Sequence, residues 1–317
     1  MRDPQERDVL SMLDLSTDLG AIVERALVLK AARRAGQRTP SLPGSNLGLI
    51  FEKPSTRTRT SFEVAINDLG GHAVVLSTKD LQLGRGETLA DTARVLSRYL
   101  DVIAYRAFRH SDVAELARWA SVPVVNALDD REHPCQIVAD LLTLREQWDR
   151  FPGHRLAYVG DGNNVCNSLV LGCAMVGIDF VGAIPASYRP PEDILREARR
   201  LAAERGSKVD LVEDPADAAR DADVIYTDVW VSMGDEAQAA AREKAFHGYQ
   251  VNSALVRKAK ASCRVMHDLP AHRGLEITDD VIDGPQSAVW DQAENRLHAE
   301  KALLEYVLAP EFPPGAL

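Results

Sequence analysis

Short apolar runs recur through the first half of the chain, at Leu47–Phe51, Ala73–Leu76, Val102–Tyr105 and Val122–Val125. Between them, at Ser61–Leu69, Thr88–Tyr99 and Asp112–Ala120, apolar positions return every three or four residues, which gives a helix one apolar face. Ser16-Thr-Asp-Leu-Gly opens an amphipathic stretch that closes on basic residues near Arg34, the polarity a helix prefers at its two ends. His133 to Trp148 reads as one long helix, ending near Phe151-Pro-Gly. The alternation then resumes, with strands expected at Arg155–Val159, Phe180–Ile184, Val209–Val212, Val224–Thr227 and Arg264–Met266 and a charged helix at Glu192–Arg205. Strands alternating with helices specify parallel sheets covered by helices. The expected fold is α/β with two domains, residues 1–150 and 151–317, each a parallel sheet flanked by helices. The C-terminal helix, about 288–308, is expected to pack back on the first domain.

Length agrees with that division, since 317 residues exceed one small core and suit two domains of ordinary size. The net charge of −10, with no basic block, excludes nucleic acid as a partner. Cys135, Cys166, Cys173 and Cys263 show neither CxxC nor metal-ligand spacing, which points to a reducing compartment. The polar start, Met1-Arg-Asp-Pro-Gln-Glu-Arg-Asp, has no signal-peptide pattern. Leu169–Ile184 is broken by Asp179 and glycines, so it reads as a buried helix running into a strand rather than a membrane span. A cytoplasmic protein is expected.

Polar clusters follow the strands. After Leu47–Phe51 come Ser55, Thr56, Arg57, Thr58 and Arg59, with helical character from Ser61 onward. Strand, polar turn and helix start present free backbone N–H groups, hydroxyls and guanidiniums to an anion. Arg106 follows the third strand, and His133-Pro-Cys-Gln136 opens the long helix; imidazole and carboxamide together can polarise a small carbonyl. Gly160-Asp-Gly-Asn-Asn-Val165 lacks the third glycine of a dinucleotide fingerprint, so Asn163 and Asn164 read as contacts to a polar substrate. Asp228, with Ser232, Met233 and Gly234 downstream, suits a cationic or amino-acid ligand. His267-Asp-Leu-Pro-Ala-His-Arg-Gly274 and Asn295-Arg296 complete the set. Parallel sheets bind ligands outside the carboxyl ends of their strands, so a cleft between the two domains is the expected site.

These motifs occur in an order and spacing that resemble the carbamoyltransferases, and within them the ornithine branch, over about Asp8 to Leu304. The resemblance implies transfer of a carbamoyl group from carbamoyl phosphate to the δ-amine of L-ornithine, giving citrulline and phosphate, with no metal or organic cofactor. It implies a homotrimer or a multiple of trimers. By matching position, Ser55, Thr56, Arg57 and Thr58 would hold the phosphate, with Gln82 reaching it from a neighbouring subunit. Arg106, His133 and Gln136 would engage the carbamoyl group, and Arg296 and the backbone of Leu269 would complete that end. Asn164, Asp228, Ser232 and Met233 would hold the amino acid.

One position departs from the pattern. The ornithine branch reads His-Cys-Leu-Pro where this chain has His267-Asp-Leu-Pro270. A carboxylate beside the attacking amine stabilises its ammonium form, can accept its proton, and admits a different cationic acceptor. It disfavours aspartate as acceptor. A non-catalytic carbamoyl-phosphate-binding paralogue is the other reading of Asp268.

Overall fold

The computed structural model describes residues 7–77, 86–231, 236–309 and 312. The chain divides into two compact units, Met1–Leu142 with Glu294–Leu317, and Thr143–Ala293.

In the first unit, strands β1 (Asn46–Phe51), β2 (His72–Ser77), β3 (Val102–Arg106) and β4 (Val124–Leu128) form a parallel sheet in the order β2-β1-β3-β4. Helices α1 (Leu19–Arg34), α2 (Thr56–Asp68), α3 (Leu89–Leu96), α4 (His110–Trp119) and α5 (Pro134–Arg145) follow the expected alternation. Ile50, Ile103, Tyr105 and Val124 of the sheet share a core with Ala93, Val113, Leu116 and Ala117 from α3 and α4. Each fully buried Leu or Ile there contributes roughly 1.5–3 kcal/mol.

Several boundaries differ from the sequence pattern for local reasons. β4 begins at Val124 rather than Val122, because Pro123 has no N–H for the ladder and only its carbonyl serves Ile103 N. α3 stops at Leu96, where Ser97 Oγ donates back to Ala93 O at 2.7 Å. α5 stops at Arg145 rather than Trp148, its end tightened by Gln147 N donating to Leu144 O.

In the second unit, strands β5 (Arg155–Val159), β6 (Asp179–Ala183), β7 (Val209–Val212), β8 (Val224–Tyr226) and β9 (Arg264–Met266) form another parallel sheet, ordered β7-β6-β5-β8-β9. Its helices are α6 (Asn164–Val176), α7 (Glu192–Arg205), α8 (Pro215–Ala219), α9 (Ala239–Ala245), α10 (Ser253–Val256) and α11 (Asp279–Ile282). α6 is buried from Val165 to Val176 and leads into β6, as the interrupted apolar stretch implies. Among the described residues no helix is long and apolar enough to cross a membrane.

The last helix, α12 (Val289–Leu308), is counted with the first unit from Glu294 onward. There Lys30 Nζ donates to Asn295 Oδ1 at 2.7 Å, Arg25 pairs with Glu305, and Lys301 pairs with Asp68. These bonds fix the rotation of the segment that carries Arg296.

Candidate functional site

The first unit gathers its chemistry at the carboxyl ends of β1, β3 and β4. Ser55 caps α2, its side chain accepting Thr58 N at 3.2 Å, so Thr56, Arg57 and Thr58 form the first helical turn rather than a free turn before Ser61. That turn aims its remaining amides outward. Thr58 is buried, Ser55 and Arg57 are half-buried, and Thr56 is exposed. Arg59 does not join them; it is exposed and paired with Glu63 at 2.7 Å.

Arg106 ends β3 and is 5% exposed. Its Nη1 donates to Thr58 Oγ1 at 3.4 Å, and Arg296 Nη2 donates to the same oxygen at 3.1 Å. Two guanidiniums therefore fill the acceptor capacity of the Thr58 hydroxyl, leaving its single proton to be donated elsewhere. Arg296, 3% exposed despite its helical position, also donates to Gln136 Oε1 at 2.7 Å and to Glu300 Oε1 at 2.9 Å. Gln136 in turn donates to Asp140 Oδ1 at 2.9 Å.

His133 stands just before Pro134. Its loop is held by Asp129, which accepts Arg131 N, Glu132 N and Asn126 Nδ2 at 2.7–2.8 Å. Burial, then the charges of Arg296, Arg106 and Arg57, push the His133 imidazole well below its ordinary range, so it is neutral at pH 7. A neutral ring among arginines can donate one N–H to a carbonyl oxygen without adding charge. Burial lifts the Glu300 carboxyl to about 7, with Arg296 and a hydrogen bond from Ser61 opposing the rise.

The second unit carries an acidic cluster. Gly160 follows β5 with φ 145°, and a Cβ on Gly162 would stand 2.3 Å from Tyr188 O. The glycine thus serves a close backbone approach, which removes the remaining case for a pyrophosphate loop. Asn163 is the cap of α6, accepting Cys166 N at 3.1 Å and donating to Asp228 Oδ2 at 2.7 Å. This residue, expected to touch substrate, orients Asp228 instead, while Asn164 begins the helix half-buried. Asp228 also accepts Val229 N at 2.7 Å. Asp161 is tied to Arg242 at 2.5 Å, which neutralises it.

Asp228, His267 and Asp268 bring ligand atoms within 4.8 Å of one another. The donor chemistry does not suit a metal ion. His267 Nδ1 accepts Leu269 N at 2.9 Å, which places its proton on Nε2, and Nε2 meets Glu276 Oε1 at 3.1 Å. Neither ring nitrogen has a lone pair to give. Leu269, in this unit, has φ 62°, a left-handed conformation rare for a branched side chain, and its N–H is held by that imidazole. Ser232 and Met233, and Gln82 of the first unit, lie outside the described residues.

Four contributors escaped the sequence pattern: Asp140, Glu300, Glu276 and the capping role of Asn163. The first two stand four residues after Gln136 and Arg296 on the same helices, a spacing that places them on one face.

Residues 7–146 match the family model described as "Aspartate/ornithine carbamoyltransferase, carbamoyl-P binding domain", and residues 152–307 match that described as "Aspartate/ornithine carbamoyltransferase, Asp/Orn binding domain". The chain belongs to the aspartate/ornithine carbamoyltransferase family. It is 56% identical to the catabolic ornithine carbamoyltransferase of Thermoplasma volcanium over 96% of this chain and 99% of that protein. It is 54% identical to the ornithine carbamoyltransferase of Methanoculleus marisnigri, over 96% and 97% of the two chains. The solved structure of the ornithine carbamoyltransferase from Pyrococcus furiosus is similar with a TM-score of 0.93 and 52% identity, covering 96% of this chain and 97% of that one. The α/β reading and the family resemblance are therefore both supported.

Proposed function

We propose that this protein transfers the carbamoyl group of carbamoyl phosphate to the δ-amine of L-ornithine, giving L-citrulline and phosphate. The observation that carries the reading is identity above one half, over nearly the whole chain, to proteins named ornithine carbamoyltransferase. The donor-side geometry supports it: an α2 N-terminus, the Thr58 hydroxyl and three arginines suit a phosphorylated carbonyl compound.

In this reading Ser55, Thr56, Arg57 and Thr58 bind the phosphate, with Gln82 supplied by a neighbouring subunit of a homotrimer or multiple of trimers. Arg106, His133 and Thr58 donate to the carbamoyl oxygen as charge develops on it. Gln136 and Arg296 orient the carbamoyl end, together with the backbone of Leu269. Asn164, Asp228, Ser232 and Met233 hold the amino-acid end of ornithine. The neutral δ-nitrogen forms a bond to the carbamoyl carbon, and the carbon–oxygen bond to phosphate breaks with its electron pair leaving on phosphate. Asp268 receives the amine proton. Positioning and electrostatics supply the rate, with no step assigned to a metal or organic cofactor. The compartment we assign is the cytoplasm, consistent with four buried, free cysteines.

A colorimetric citrulline assay with carbamoyl phosphate tests the proposal, with ornithine, lysine and putrescine as alternative acceptors. Ornithine is expected to be preferred; product formation only with another amine would overturn the acceptor assignment.

A further inference from the structure

Glu300 is fully buried on α12, one turn beyond Arg296. Its Oε1 receives Arg296 Nη2 at 2.9 Å, while the same guanidinium reaches Thr58 Oγ1 and Gln136 Oε1. Three acceptors from α2, α5 and α12 thus define the plane of the guanidinium. Among the residues expected to bind substrate, the hydrogen bond of Glu300 is to Arg296, while Ser61 on α2 donates its hydroxyl to Arg57 O at 2.8 Å. The buried thiol of Cys135 on α5 also senses the charge of Glu300, and burial holds that thiol in its neutral form.

We propose that Glu300 is a positioning residue for the donor: it fixes Arg296 between Thr58 and Gln136, and it takes up a proton when a phosphate dianion binds. This rests on the assignment of the α2 N-terminus as a phosphate site. A buried carboxylate close to an arriving dianion is a like charge, so binding favours its neutral form. Protonation removes the charge but leaves a carbonyl oxygen to accept from Arg296, so orientation and charge separate. Because burial already places the group at about 7, the uptake falls in the neutral range. Proton uptake and anion binding are then reciprocal: lower pH strengthens binding, and the anion raises the proton affinity of Glu300.

The test is calorimetric titration of the full-length protein with inorganic phosphate from about pH 6 to about pH 8.5, in wild type and Glu300→Gln. Glutamine keeps an acceptor and cannot ionise. Titration of phosphate and of every other side chain is common to both proteins and cancels in the ratio of their dissociation constants. The ratio, wild type over variant, is expected to rise by roughly fivefold or more across that range. A constant or falling ratio overturns the proposal. Glu300→Ala supplies the positioning arm: it is expected to raise the KM for carbamoyl phosphate and lower kcat, and Glu300→Gln to restore most of the loss. Equal impairment in both variants would reduce Glu300 to packing. Should Glu300→Ala not fold, the wild-type to glutamine ratio decides alone. Phosphate binding in a protein that makes no citrulline would refute the reaction assigned above while leaving the Glu300 result readable.

Discussion

The same carboxyl makes a prediction about stability that needs no substrate. Glu300 is completely buried, and burial raises it from 4.5 to about 7 against the opposing pull of Arg296 and Ser61. A carboxyl whose folded pKa lies above its unfolded one favours the fold while it is protonated. That contribution is fully present below about pH 4.5, is lost as the pH rises through about 7, and does not change further above it. At 1.36 kcal/mol per pH unit, the displacement corresponds to roughly 3 kcal/mol. Glu300→Gln abolishes the ionisation and keeps the volume and an acceptor for Arg296. The stability of the variant relative to wild type should therefore improve by roughly 3 kcal/mol between about pH 5 and about pH 8. Thermal unfolding followed by circular dichroism at both pH values measures it, with an expected relative gain in Tm on the order of 5 °C. A difference that does not change with pH would show that Glu300 has the same pKa folded and unfolded, so that the carboxyl is already ionised across this range, and would remove the basis for the proton uptake proposed above.

Arg57→Ala should lower kcat by about 10²- to 10³-fold in a protein that still folds, because a half-buried guanidinium facing the leaving phosphate is lost; near-normal turnover would sink the phosphate assignment. Asp268→Cys should move the acidic limb of the pH–rate profile downward, since removing a carboxylate lowers the proton affinity of the bound amine; superimposable profiles would reject the role given to Asp268. Asp228→Asn should raise the KM for ornithine by roughly 30-fold or more, as loss of one partner of a buried charged contact costs about 2–5 kcal/mol, and an unchanged KM would place the amino-acid end elsewhere. Light scattering should give a mass of three chains or a multiple of three; a monomer active at assay concentration would remove the neighbouring-subunit role of Gln82.

Most of the sheet was legible because its strands are continuous apolar runs bounded by polar clusters. β5, β7 and β9 follow the pattern to the residue. The edges that slipped were set by single hydrogen bonds the pattern cannot show, such as Ser55 receiving Thr58 N, or by Pro123, which has no donor. Arg106, His133 and Gln136 were readable from position, each standing where a strand ends or a helix begins. Arg296 was not, since a helical arginine is ordinarily solvated, and only the family resemblance promoted it. Glu300 and Asp140 were invisible for the same reason. Their i+4 spacing from Arg296 and Gln136 describes a surface ion pair as readily as a buried brace, and the sequence does not state burial.

Charge explains how two substrates are sorted. In the first unit the imidazole of His133 is neutral and the carboxyl of Glu300 sits near its midpoint at pH 7, so Arg57, Arg106 and Arg296 leave a cationic surplus suited to a dianion. In the second unit Arg242 neutralises Asp161, and His267 is held in one tautomer between Leu269 N and Glu276. Asp228 and Asp268 bring carboxylate oxygens within 4.8 Å of the His267 ring, and in the proposed function these two carboxylates meet the acceptor. On the proposed assignment, carbamoyl phosphate is repelled by the second cluster and an ammonium group by the first, so neither substrate blocks the other's place. The same arrangement sets the acceptor. Aspartate would bring a second carboxylate against Asp228 and Asp268, whereas ornithine brings a cation. That attraction also carries a kinetic cost, because the δ-ammonium so stabilised must lose its proton before it can attack. A carboxylate at position 268 both imposes the cost and offers the acceptor that relieves it, which is why the pH–rate profile, rather than affinity alone, reports what Asp268 does.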